Sequence, residues 1–287
     1  MTTATQAVRS AKQPRGGYVP PKMMVIMDFA DDEYRDELVL GMSREKSQPA
    51  IVGVVVDYLT RFMLESRIGM DTTAMKWDRV PRHGIRNDIH MLSEEEYCKV
   101  KERVQGLDAD SVDAMFMLTA WDTMYRAGIE IDPDTLHPDE VTTDHVIRMV
   151  AKALEMLGDG EVAIGPTFIG GMPDGIQSAD ADFIRDGWLV DMKVSKKEAP
   201  DITQTLQLAV YYIMGKMVIE GRGNPPGMGH FNTYRDAFRN MHGVEILNPR
   251  CGVMWRLLMK EVPDETIEAI IGDVMGGYSE NGVDLHE

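Results

Sequence analysis

Three observations predict an α/β fold with a mixed central β-sheet flanked by helices. Asp186-Gly187 separates two β-rich runs, residues 179–185 and 188–195, and Asp-Gly between such runs signals a hairpin because a type I′ turn needs positive φ at both central residues. An apolar helical stretch, residues 201–221, follows at once, and three amphipathic stretches precede it. A chain of 287 residues with 44% hydrophobic content is long enough to bury a substantial core around that sheet.

Residues 1–20 are polar, basic and punctuated by Gly and Pro, the composition of a disordered tail, so the expected domain is a single unit over 21–287 with a helical N-terminal half. Residues 23–30 read as a short strand or helix before the acidic Asp31-Asp32-Glu33. Ser47 is a suitable cap for a helix over 49–66, with Pro49 tolerated in its first turn. Residues 71–107 show no clear period and suit a loop-rich insertion with short helices. Helices are expected over 111–126, stopped by Gly128, and over 143–157, stopped by Gly158. His145 near the start of the latter reads either as a ligand or base, or as a surface or capping residue. A strand over 161–169 leads through a Gly-rich loop, where Pro173-Asp174-Gly175 is ordinary turn chemistry, to the hairpin. Asp201 and Gln204 then form a capping-box pair. Strands over 230–234 and 244–247 and a helix over 264–275 complete the reading. Asn248-Pro249-Arg250 is either a turn or a phosphate contact.

Composition limits function. No run of about eighteen apolar residues and no signal-peptide segment is visible, so a soluble, cytoplasmic protein without a membrane partner is expected. Cys98 and Cys251 stand alone in sequence and read as reduced and structural; two thiols cannot ligate an iron–sulfur cluster. The net charge of −17 opposes a nucleic-acid partner, since phosphate binding needs a basic footprint. Charge is local, however: Lys193, Lys196 and Lys197 adjoin the hairpin, and Arg79, Arg82 and Arg86 form a second basic group. The acidic remainder serves solubility, or faces a partner protein or a second copy of the chain.

Register carries the chemistry. Counting from Asp186-Gly187, Arg185 faces Trp188, Ile184 faces Leu189, Phe183 faces Val190, Asp182 faces Asp191 and Asp180 faces Lys193. Opposed side-chain roots lie roughly 5 Å apart. Ala181, Phe183, Trp188, Val190, Met192 and Val194 then share a core face. The other face holds Asp180, Asp182, Asp191, Lys193 and Ser195, with Ile184 and Leu189. Directly opposed like charges are destabilising, and a divalent cation would offset the repulsion. Simple solvation of a polar face is the other reading.

Asp182 followed by Asp191-Met192-Lys193 on the next strand resembles the core of the PD-(D/E)XK nuclease superfamily. Gln207 and Tyr211 are similar to the Gln-x-x-x-Tyr element of its RecB-like branch, here without iron–sulfur cysteines. Gly53-Val54-Val55-Val56-Asp57 is similar in spacing to that branch's Gly-x-x-x-His element, with Asp57 where the family carries His. The joined pattern covers residues 179–215; only 53–57 adds to it. The resemblance implies a restriction-endonuclease-like core and a nuclease that hydrolyses phosphodiester bonds of nucleic acid, expected to be DNA, using Mg²⁺ or Mn²⁺. It assigns Asp182, Asp191 and Asp57 to the metal, and Asp182, Asp191, Lys193, Gln207 and Tyr211 to catalysis. Asp57 has a plainer role open to it, a salt bridge to Arg61 at i+4, and Gln207 and Tyr211 have plain packing. Gly53 allows either close backbone approach to the site or tight helix packing. The alternative function is a catalytically silent nuclease-fold subunit that binds nucleic acid or a partner protein.

Overall fold

The computed structural model describes residues 2–70, 75–221 and 232–276. In chain order the elements are β1 (Thr2–Thr3), α1 (Ala4–Ser10), β2 (Val25–Asp28), α2 (Asp32–Arg35), α3 (Pro49–Arg67), α4 (Arg79–Arg82), α5 (Glu94–Glu102), α6 (Ala109–Ala127), α7 (Glu140–Leu157), β3 (Val162–Ile164), β4 (Ile176–Ser178), β5 (Phe183–Arg185), β6 (Trp188–Met192), α8 (Ile202–Ile219), α9 (Arg235–Arg239), β7 (Gly243–Asn248), β8 (Val253–Leu258) and α10 (Asp264–Asp273). Six strands form one sheet in the order β2-β8-β7-β6-β5-β3. The β6–β7 pair is parallel and the other pairs are antiparallel, so the sheet is mixed. No helix among the described residues is long and apolar enough to cross a membrane.

The sheet is buried on both faces. Phe183, Val190, Met192, Leu247 and Met254 belong to one apolar cluster with α3, α6 and α7. Ile184, Leu189, Val244, Ile246 and Leu257 belong to a second with α8 and α10. A strand buried on both faces reads as an apolar run rather than an alternation, which explains Ile184 and Leu189 on the face that carries the carboxylates. The solvated hairpin face is therefore corrected: α8 covers it, and Asp191 is only 4% exposed. Ala181 packs in the α8 cluster, not with Phe183. On the opposite face Arg185 bonds Glu245 at 3.3 Å, and Arg256 pairs with the same buried carboxylate.

The turn forms as expected. Asp186 and Gly187 have φ of 47° and 78°, and the register pairs Arg185 with Trp188, Ile184 with Leu189 and Phe183 with Val190. A Cβ at Gly187 would strike His242 and the carbonyl of Asn240, so the glycine is needed for space as well as for φ.

Several boundaries differ from expectation. The N-terminal segment is not a tail: Thr3 and Gln6 form a reciprocal capping box for α1, and Ala4 and Val8 bury against the α8 cluster. The small apolar stripe of α1 is masked by its polar neighbours in composition. Helix α3 starts after Gln48 without a side-chain cap, so Ser47 does not cap it. Asp108 and Asp139 cap α6 and α7, lengthening both toward the N-terminus. The strand expected over 161–169 shortens to β3, and the expected strand over 230–234 lies partly outside the described residues, its remainder being a turn into α9. Residues 23–30 resolve into β2 on the sheet edge. Residues 253–258 form β8, an interior strand with no counterpart among the expected elements.

Candidate metal centre at the hairpin

The site forms where β5 and β6 separate. After the Phe183–Val190 pair, β6 continues beside β7, and the Lys193 N–H donates to the Leu247 carbonyl at 2.9 Å. The chain preceding β5 turns the other way. Gly165 N–H donates to the Asp182 carbonyl, and Asp180 forms a bridge with Thr167. Asp180 therefore does not face Lys193, because the ladder ends before that pair. Its carboxylate lies 3.5 Å from Arg79 instead, with its pKa raised by burial against the lowering effect of Arg79.

Asp182 remains beside Asp191. Its Oδ2 accepts the Met192 backbone N–H at 2.7 Å, and its Oδ1 accepts from Arg61 Nη2 at 2.8 Å. Arg61 Nε donates to Asp57 Oδ1 at 2.9 Å, so one guanidinium joins the carboxylates of α3 and the hairpin. The i,i+4 spacing on α3 places Asp57 and Arg61 together, and the guanidinium lies 5.5 Å from the Phe183 ring centroid. Gly53 leaves room for a Cβ, its nearest neighbour being Val194 at 3.8 Å, so close backbone approach does not explain it.

Asp191 is the most constrained acid of the group. Lys193 Nζ stands 2.7 Å from its Oδ2, so the buried carboxylate is ion-paired within its own strand segment. Burial raises the Asp191 pKa to about 6; Lys193 opposes the rise and Asp182 adds to it. Asp57 is likewise raised to about 6 by burial, against Arg61 and with Asp182. Lys193 is desolvated too, yet Asp191 and Asp182 more than offset this and hold it protonated.

Helix α8 brings its own pair. Asp201 and Gln204 form the capping box, which leaves Gln207 free to turn inward. Gln207 Nε2 donates to Tyr211 Oη at 2.9 Å and to Thr5 Oγ1 at 3.3 Å. Tyr211 is stacked on Phe168 with centroids 5.2 Å apart. Burial raises its phenol pKa, and the charges of Asp191 and Asp182 push it further the same way. The two side chains thus bond one another and α1 rather than Lys193. A shallow groove lined by Lys193, Ser195, Lys197, Pro200, Gln204 and Asn248 opens beside them.

Two expected contacts fall elsewhere. Arg250 is 1% exposed and bonds Glu45 and the Leu38 carbonyl, so it is not available to a phosphate. His145 is fully buried between Glu45 and Glu37, at 2.7 and 3.2 Å, and is neither a surface nor a capping residue. Conversely, the Arg61–Asp182 bond and the Gln207–Thr5 contact were not legible in sequence, since they join residues 121 and 202 positions apart.

Comparison with protein families, curated proteins and solved structures finds no match. The donor set itself decides whether a hard cation fits. Among the described residues no cluster of three His, Cys, Asp or Glu side chains forms a ready cage. Mg²⁺ needs no such cage, because it is held by one or two carboxylates with water and substrate oxygens completing the octahedron. Asp191, paired with Lys193, and Asp182, which accepts from Arg61 and Met192, are the two carboxylates that such a set would use.

Proposed function

We propose that the protein is a Mg²⁺- or Mn²⁺-dependent nuclease of the PD-(D/E)XK type, with a restriction-endonuclease-like core, acting on nucleic acid and by preference DNA. The single observation that carries this reading is the buried Asp191 carboxylate, with Lys193 Nζ 2.7 Å from its Oδ2 and the charge of Asp182 close enough to raise its pKa. A desolvated carboxylate beside a second carboxylate gains from further positive charge.

Asp182 and Asp191 would hold the ion, with Asp57 as a further oxygen once freed from Arg61. A bound divalent ion supplies an acidified water and neutralises charge on the phosphoryl oxygens. Lys193, held protonated, stabilises the charge developing on the phosphate rather than taking a proton from water. Gln207 and Tyr211, bonded to each other and to Thr5, would orient phosphate or water by exchanging those bonds. The free thiols of Cys98 and Cys251 suit a reducing compartment, and the cytoplasm is the setting this reading takes.

The test is cleavage of single- and double-stranded DNA and RNA by the full chain, with Mg²⁺, with Mn²⁺ and with chelator. Cleavage is expected only with metal, and Lys193→Ala and Asp191→Ala should abolish it while remaining folded. Equal cutting by wild type and Lys193→Ala overturns the reading. One observation favours a catalytically silent nuclease-fold subunit instead: Arg61 already occupies Asp182 Oδ1. Metal-independent nucleic-acid binding without cleavage, or capture of a protein partner on the acidic surface, is the outcome that reading requires.

A further inference from the structure

We infer that Arg61 is the resident counter-ion of the carboxylate cluster, and that a divalent cation must displace its guanidinium from Asp57 and Asp182 in order to bind. The inference rests on the metal-dependent reading of this site and adds a positioning residue which that reading does not contain.

The geometry is specific. Arg61 reaches two acids from different elements with two different nitrogens, Nε to Asp57 Oδ1 and Nη2 to Asp182 Oδ1. Its side chain is 16% exposed, and it lies near the face of Phe183. Gly165, at φ 59°, adjoins the third nitrogen: a Cβ there would come within 3.1 Å of Nη1, so glycine leaves the guanidinium its space. A planar fork bridging two carboxylates is a binding mode that lysine's point charge cannot reproduce.

Charge sets the direction of the effect. Asp57, Asp182 and Asp191 repel one another electrostatically, and among the described residues two cations, Arg61 and Lys193, pair with them directly. Lys193 serves Asp191, so Arg61 is the cation that a metal ion would meet at Asp57 and Asp182. A cation that binds the same oxygens competes with it, and removing a competitor must tighten metal binding. A scaffold role predicts the opposite: without Arg61 the acids would swing apart and metal affinity would fall.

Mn²⁺ titration by calorimetry on the full chain, without nucleic acid, separates these outcomes. Arg61→Met should bind Mn²⁺ about tenfold or more tightly than wild type, and Arg61→Lys should gain less. Equal or weaker binding by Arg61→Met overturns the inference while leaving the metal reading intact. Absence of Mn²⁺ binding in wild type overturns both. Should Arg61→Met fail to fold, wild type provides the readout. The Arg61 Nε–H resonance, shielded from exchange by Asp57, should shift and exchange faster on saturation with Mg²⁺, and an unchanged resonance overturns the inference.

Discussion

Asp182 reaches across the mouth of the hairpin and accepts the backbone N–H of Met192 at 2.7 Å. The carboxylate therefore replaces the ladder bond that β5 no longer makes once it parts from β6, while its second oxygen holds Arg61. A candidate ligand is thus also a structural clasp. Asp182→Ala should lower stability by about 1–3 kcal/mol, the cost of leaving a part-buried N–H and a guanidinium short of an acceptor. Asp182→Asn, which keeps one acceptor oxygen, should lose less. Urea unfolding of the two variants without metal checks the order; an Ala variant as stable as wild type would show that the clasp contributes nothing.

Asp191 should behave in the opposite sense. Its folded pKa of about 6 lies above its ordinary value of 3.8, so between these values the folded chain binds more protons than the unfolded one. Stability without metal therefore falls as pH rises from about 4 to about 6, then levels off. Asp191→Asn removes the buried charge and should be more stable than wild type at pH 7 by about 1–2 kcal/mol, the gap closing toward pH 4. Thermal unfolding from pH 4 to 8 in chelator measures this gap; a gap independent of pH would refute the assignment of the raised pKa to Asp191.

How much of this was legible in the sequence follows the range of the interactions. The hairpin was readable because Asp186-Gly187 imposes its geometry locally, and counting outward placed Asp182 beside Asp191. The same count failed two residues further, at Asp180 and Lys193, because pairing with β7 and with Thr167 draws the two chains apart. Register is a local rule only while the partner strand is the adjacent one. Helix α8 was readable from its capping box, whereas α1 was hidden, since the polar and small residues around it outweigh the buried Ala4 and Val8 in any compositional view. Arg61 was visible as the i+4 partner of Asp57, but its bond to Asp182 depends on how α3 packs on the sheet. Only tertiary structure supplies that contact.

The buried side chain of Glu45 offers a last test, away from the hairpin. Its carboxylate, 2% exposed, accepts from His145 Nδ1 at 2.7 Å and from Arg250 at 2.6 and 3.1 Å, while Arg250 also donates to the Leu38 carbonyl at 2.8 Å. These groups tie the start of α7, the segment after α2 and the β7–β8 turn into one polar knot. Replacing a buried ion pair entirely by apolar groups can be nearly neutral, but removing one partner strands the other without water. Arg250→Ala should therefore cost about 3–5 kcal/mol. Arg250→Lys should recover only part of this, because an ammonium cannot make the paired contacts to Glu45. Adding Glu45→Met to Arg250→Ala should restore stability relative to Arg250→Ala alone, since the stranded charge is then gone. Chemical denaturation of the three variants measures the sequence of effects. A double variant no more stable than Arg250→Ala would mean that the loss comes from the Leu38 contact and packing rather than from the uncompensated Glu45 carboxylate.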